Sequence, residues 1–165
     1  MDHGTLRKLI TAILALPLGG CAAMTSHDPR AGGNTTVLFL CPYGGAKSVI
    51  AASYFNRAAR DAGMQILGVA AAAEEPYDAV PAPVADRLQR DGIDVRDIEP
   101  HHVTAADVEA AARVIRIDCN LPADLRTVPS ESWDDVPKVS VDLEGSVATI
   151  RLHVEQLAEA LRVRR

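Results

Sequence analysis

Between residues 36 and 48 the chain reads Thr-Val-Leu-Phe-Leu-Cys-Pro-Tyr-Gly-Gly-Ala-Lys-Ser, and this stretch constrains the fold more than any other. Thr36 to Leu40 is a β-branched and apolar run of the length expected for a buried strand. Cys41 stands at its C-terminal end, and Gly44 and Gly45 follow in a tight run. Lys47 and Ser48 then open a helical pattern from Ser48 to Ala62, in which Ala51, Tyr54, Phe55, Ala58 and Ala62 recur at helical spacing and Gly63 is a natural stop. A strand that ends in a glycine-bearing loop and opens a helix turns several N–H groups, and the positive end of the helix dipole, toward one point. Pro42, Tyr43, Gly44, Gly45 and Ala46 are therefore the candidate oxyanion-binding loop. Cys41 at its mouth is the candidate thiolate nucleophile beneath a bound phosphate or arsenate. The plainer alternative is a buried free cysteine at a strand end.

The rest of the chain alternates strand and helix signals. Met64 to Ala70 is an apolar strand candidate, and Val80, Val84 and Leu88 mark a helix to about Arg90, closed by Gly92. Thr104-Ala-Ala-Asp107 has the form of a capping box for a short helix. Arg113 to Asp118 reads as a strand with Cys119 just beyond it, and Leu125 to Val128 as a possible further strand. Leu143, Val147, Ile150, Val154, Leu157 and Leu161 alternate spacings of four and three, the signature of an amphipathic helix. Such alternation predicts an α/β domain whose parallel sheet is covered by helices on both faces. Ligands of such sheets sit beyond the C-terminal strand ends, where Cys41, Cys119 and the loop from Ser130 to Ser140 are expected to converge.

The N-terminus has a different character. Arg7 and Lys8 precede an apolar run from Leu9 to Leu18 that is too short to span a bilayer as a helix. Leu18-Gly19-Gly20-Cys21 resembles the lipobox of bacterial lipoproteins, which implies an export signal over 1–20 and lipidation at Cys21. A non-cleaved anchor or an amphipathic N-terminus is the alternative. Residues 21–35, with Ser, Asp, Pro and Gly and little periodicity, are expected to be a flexible tether. The domain then spans 36–165. The implied location is the cell envelope, lipid-anchored on its extracytoplasmic face, with more than one acyl chain needed for stable anchoring.

A net charge of −5 over 165 residues argues against nucleic acid as a partner. It also makes Lys47 conspicuous against its background. With Cys21 assigned to lipid, Cys41 and Cys119 are the remaining cysteines, and neither they nor the adjacent His101-His102 pair have zinc-ligand spacing. No metal and no cofactor is expected.

Cys41 to Ser48 resembles the Cys-x5-Arg-Ser loop of the low-molecular-weight protein tyrosine phosphatases and thioredoxin-coupled arsenate reductases, with Lys47 in place of the arginine. The likeness extends weakly from Thr36 to about Leu161. It implies a three-layer α/β fold with a four-stranded parallel sheet. By position it implies that Cys41 is the nucleophile, Lys47 the phosphate clamp and Ser48 the hydroxyl partner of the thiolate. The family's acid is an Asp before Pro on a later loop. Here Trp133-Asp134-Asp135-Val136-Pro137-Lys138 resembles that segment, but neither Asp precedes Pro, and one register puts Lys138 at the acid's place. Asp135 is the best candidate, with Asp134 or no acid as alternatives. Cys119 lies near the resolving cysteine of the reductases, but no further cysteine follows it to relay a disulfide.

The resemblance thus implies weak phosphomonoester hydrolysis through Cys41. A catalytically silent lipoprotein that binds phosphate, arsenate or a phosphorylated protein or small molecule is the first alternative. A thiol redox protein using Cys41 and Cys119 is the second.

Overall fold

Alternation along the first strand sets the layers of the domain. In the computed structural model, which describes residues 36–163, Thr36–Cys41 forms β1. Val37, Phe39 and Cys41 pack into one apolar cluster, while Leu38 and Leu40 pack into another. Because strand side chains alternate between faces, β1 is buried on both sides, as a central parallel strand must be.

The remaining elements follow in order: α1 (Lys47–Asp61), β2 (Leu67–Ala72), α2 (Ala82–Arg90), α3 (Ala105–Glu109), β3 (Ala111–Arg116), a 3-10 turn (Ala123–Leu125), β4 (Glu131–Ser132) and α4 (Leu143–Val163). The sheet order is β2-β1-β3-β4, and every pairing is parallel. From β1 the chain moves outward to β2, then crosses to β3 on the other side. The strand order therefore reverses between β1 and β3, the place where ligands of such sheets bind.

The cluster on the Cys41 side takes Val49, Ile50 and Phe55 from α1, Val84 and Leu88 from α2, and Val147, Ile150, Val154 and Leu157 from α4. Phe39 sits at its centre, its ring 5.7 Å from both Phe55 and Trp133. The opposite cluster is smaller and adds Val103, Val114, Leu121 and Leu125, with Val108 and Cys119 against it. The architecture is the expected three-layer, four-stranded parallel α/β fold.

The capping box forms: Asp107 N–H donates to Thr104 Oγ1 and Thr104 N–H donates to Asp107 Oδ2. Two expectations need correction. The segment from Leu125 to Val128 is not a strand. Leu125 N–H donates to the Pro122 carbonyl and Val128 N–H to the Leu125 carbonyl, so local turns take the backbone groups a ladder would need. The fourth strand is Glu131–Ser132, just past Pro129. The strand expected from Met64 begins at Leu67, because Gly63 and Met64 N–H groups still close the end of α1 on the carbonyls of Arg60 and Ala59. The proposed signal segment 1–20, the tether 21–35 and Cys21 lie outside the described residues. Among the described residues no helix is long and apolar enough to cross a membrane.

Gly44 is the backbone constraint at the edge of the sheet. Its φ is +66°, and a Cβ there would lie 2.8 Å from the Ala72 nitrogen and 2.9 Å from the Ala72 Cβ. Gly63 shares the positive φ (+64°) but has nothing within 4 Å of such a Cβ. Gly63→Ala should therefore cost only the left-handed backbone penalty, about 1–2 kcal/mol. Gly44→Ala adds a clash with immobile backbone and should cost at least ~1–3 kcal/mol more. Urea unfolding of the two variants checks this: the midpoint should fall further for Gly44→Ala.

Candidate active site

The loop after β1 is held by its carbonyls. Those of Cys41, Pro42 and Tyr43 accept hydrogen bonds from the N–H groups of Ala73, Glu74 and Tyr77. With these carbonyls turned to the segment after β2, the N–H groups of Tyr43 and Gly44, which share their peptide planes, point the other way. Among the described residues, the N–H groups from Tyr43 through Val49 donate to no backbone or side-chain acceptor. No side chain caps the N-terminus of α1 either. Gly44, Gly45, Lys47 and Ser48 are buried. Buried donors without partners are costly, and a row of them at a helix start is a site made for an oxyanion.

Cys41 is 3% exposed, and its Sγ lies 3.1 Å from Ser48 Oγ. A thiolate only accepts, so once Cys41 is ionised the Ser48 hydroxyl donates to it. Cys41 opens onto a cleft of about 540 Å³ whose lining includes Pro42, Tyr43, Ala46, Lys47, Tyr77, Asp118 and Lys138. Tyr43 stacks on Tyr77 with ring centroids 4.9 Å apart, and the pair forms an aromatic wall. Gly45 lies beneath it, where a Cβ would meet the Tyr77 ring at 3.0 Å.

Lys47 lines the cleft, but its charge is already engaged. Its ammonium donates to Asp118 Oδ2 at 3.1 Å and to the Val136 carbonyl at 3.0 Å. The lysine side chain is 7% exposed and the aspartate 50%. Asp118 holds a left-handed backbone, φ +53°. Asp tolerates that conformation better than most residues, and it turns the chain out of β3 at the cleft. The second cation of the cleft is Lys138, which is exposed and whose ammonium forms no hydrogen bond or ion pair among the described residues.

The candidate acid stands elsewhere. Both Asp135 carboxylate oxygens contact His153 Nε2, at 2.8 and 2.9 Å, and His153 stacks on Trp133. Asp135 does not line the cleft. The reason is local: Trp133 and Val136 are buried and Val136 offers its carbonyl to Lys47, which leaves Asp135 on the α4 side. Asp134 accepts from the Ser132 hydroxyl and is not in the cleft lining either. Lys138 does line the cleft. Asp118 and Tyr77 are among the cleft residues that the sequence reading missed, as are Pro81, Pro83 and Val84. For Asp118 and Tyr77 the available signal was their position just past strands β3 and β2, on the edge that carries Cys41.

Cys119 belongs to the other side of the sheet. It packs against the Leu38–Leu40 cluster, while Cys41 belongs to the Phe39 cluster. Both thiols are free. Burial pushes the Cys119 thiol up to about 11.

No protein-family model matches the sequence, and no curated protein matches it. Solved structures do match. YfkJ from Bacillus subtilis is 20% identical with a TM-score of 0.69, over 81% of this chain and 98% of that one. An arsenate reductase in the phosphate-binding state is 17% identical with a TM-score of 0.63, over 76% of this chain and 98% of the other. The fold is that of the low-molecular-weight tyrosine phosphatases and arsenate reductases. A low-molecular-weight protein tyrosine phosphatase from T. tengcongensis, at 16% identity and a TM-score of 0.60, covers 76% of this chain and 99% of its own. At such identities the likeness is one of fold. Against this phosphatase-like fold, the unpaired loop N–H groups and the Cys41–Ser48 pair supply the site-level observations.

The two thiols should separate chemically. Iodoacetamide at pH 8 should label Cys41 in the native protein and leave Cys119 nearly unlabelled, and Cys119 labelling should rise only as pH approaches about 11. Inorganic phosphate should slow the Cys41 reaction alone. Peptide mass spectrometry reads both sites, and equal rates indifferent to phosphate contradict the oxyanion loop.

Proposed function

We propose that this protein is a slow cysteine-dependent phosphomonoester hydrolase of the low-molecular-weight phosphatase type. The observation that carries the reading is the row of unpaired N–H groups from Tyr43 to Val49, in the loop between Cys41 and the Ser48 hydroxyl that contacts its sulfur. A phosphoryl group seated there receives hydrogen bonds on its oxygens, and these strengthen as charge builds in the transition state. The Cys41 sulfur attacks phosphorus, an S–P bond forms, and the ester P–O bond breaks with its electron pair leaving on oxygen. Water then attacks the thiophosphate, the S–P bond breaks, and phosphate and the thiolate are regenerated. Ser48 steadies the thiolate by its hydroxyl. The Tyr43–Tyr77 wall suits an aryl group beside the phosphate.

Two features make the hydrolysis slow. Among the described residues the cleft presents no carboxylic acid free to protonate the leaving oxygen: Asp118 is tied to Lys47, and Asp135 is held by His153. Lack of a general acid costs roughly a hundredfold or more, so aryl phosphates, whose leaving groups need little protonation, are the favoured substrates. Lys47 is a point charge shared with a carboxylate instead of a two-pronged guanidinium. The same observations favour a second reading, a protein that binds phosphate, arsenate or a phosphorylated partner in this loop without turning it over. The redox reading draws no support from Cys119, whose thiol is protonated at neutral pH and packs on the other face of the sheet.

The proposal includes anchoring of the domain to the extracytoplasmic face of the cell envelope through lipidated Cys21. Metabolic labelling with a fatty acid should mark the wild type and not Cys21→Ala. A soluble protein retaining Met1 contradicts the anchor.

Aryl phosphate hydrolysis by the wild type, lost in Cys41→Ser with phosphate binding retained, is the deciding experiment; phosphate binding without turnover favours the second reading. Asp118→Asn removes a negative charge from the cleft and releases Lys47. Phosphate affinity should rise roughly tenfold, a gain of about 1.4 kcal/mol, as measured by calorimetry. Unchanged affinity would mean that Lys47 does not meet the anion.

A further inference from the structure

We infer that the domain carries a second oxyanion site, separate from the Cys41 cleft, for a small phosphorylated molecule. It is a pocket of about 480 Å³ lined by Arg116, Asn120, Leu121, Arg126 and Ser130. Two guanidinium groups line it and no carboxylate does.

Arg116 is pre-positioned. Its Nε donates to Ser130 Oγ at 3.0 Å and its Nη1 to the Cys119 carbonyl at 2.9 Å. These bonds fix the plane of the guanidinium and leave Nη2 without a protein acceptor among the described residues. The side chain is half-buried, yet it has no ion-pair partner there. The most buried cations do find one, since Lys47 pairs with Asp118 and Arg87 with Asp91 and Glu144, while Arg57 and Arg113 share with Arg116 a half-buried place without an ion pair among the described residues. A partly desolvated charge without a counter-ion is costly, and Arg116 bears that cost next to a second unpaired cation, Arg126. The Asn120 amide also has no partner among the described residues. Free guanidinium edges, an amide and a hydroxyl in one concave place form the donor set that binds phosphate oxygens. A chain of net charge −5 has carboxylates in excess, and none lines this pocket.

The pocket lies on the face of the sheet opposite the Cys41 side chain, since Leu121 belongs to the Leu38–Leu40 cluster. Its volume exceeds that of phosphate alone and falls in the range of small-ligand sites, roughly 300–1,000 Å³. Hence the assignment of a phosphorylated small molecule. The site stands whether or not Cys41 hydrolyses anything.

Titration of 15N-labelled protein with inorganic phosphate and, separately, glycerol 3-phosphate tests it, with sodium chloride at matched ionic strength as the control. The Arg116 and Arg126 side-chain N–H signals and the Asn120 and Leu121 amides should shift saturably, in wild type and in Cys41→Ser alike. Arg126 is exposed, so Arg126→Gln should fold. It should weaken these shifts at least roughly tenfold in affinity, as expected for a lost charged hydrogen bond. Shifts at Gly44 and Gly45, which report the cleft, should keep their affinity. Absence of saturable shifts at the pocket, shifts reproduced by chloride, or affinity unchanged in Arg126→Gln each overturn the proposal. Failure at Gly44 and Gly45 alone would count against the Cys41 reading and leave this one standing.

Discussion

The pinning of the loop after β1 by its own carbonyls is the interaction on which the rest of the site depends. A loop of this length has roughly equal numbers of donors and acceptors. Here the carbonyls of Cys41, Pro42 and Tyr43 are taken by Ala73, Glu74 and Tyr77, and the N–H groups from Tyr43 to Val49 are left over. Gly44 makes this possible, because only a residue without Cβ fits at φ +66° against the end of β2. Formation of the sheet and formation of the proposed anion site are thus one event: pairing of β1 with β2 brings Ala72 and its successors to the place where they hold the loop. The free energy that keeps unpaired N–H groups buried comes from the apolar clusters on either face. Phe39, two residues before Cys41, is fully buried between Phe55 and Trp133.

A second constraint concerns charge. Lys47 is buried at the first position of α1, where its own ammonium needs compensation. Asp118 and the Val136 carbonyl provide it. This arrangement ties together three segments, the loop after β1, the turn out of β3 and the loop before α4. A guanidinium could bind a carboxylate along one edge and still offer donors elsewhere; an ammonium with two acceptors has one proton left. Tethering and anion binding therefore compete for the same small group. The left-handed backbone of Asp118 belongs to the same arrangement, strain at a cleft held in place by an ion pair.

The sequence made much of this legible, and for physical reasons. The strand, glycine and helix signals around Cys41 are local, so their order along the chain is their order in space. The spacing of four and three in α4 and the Thr104–Asp107 box are also local. What was not legible depended on tertiary choices. Leu125 and Val128 have strand-like side chains, but turns closed on Pro122 and Leu125 used their backbone groups. Glu131–Ser132 has no strand signal at all and pairs only because β3 presents a free edge. Asp135 resembled an acid by its neighbours in sequence, but burial of Trp133 and Val136 decided which way it faced. Asp118 carried no motif, and its part in the site exists only through Lys47, 71 residues earlier in the chain.

These placements bear on how the chemistry of such a loop can change without change of fold. The loop cation is turned inward to a carboxylate, while an unpaired cation, Lys138, stands on the facing wall of the cleft. A cation there attracts an anion and stabilises negative charge on a departing oxygen. An ammonium is nevertheless a far weaker acid than a carboxylic acid, so it gives little help to a leaving group that must take a proton. The cleft is accordingly better built to gather oxyanions than to expel poor leaving groups. On this argument, binding and hydrolysis in this fold are separable: the N–H row fixes the first, and the residues facing it set the second. The N–H row is secured by Gly44 and the strands, which the whole domain supports. The facing wall is a loop, free to exchange an acid for a base without disturbing the sheet.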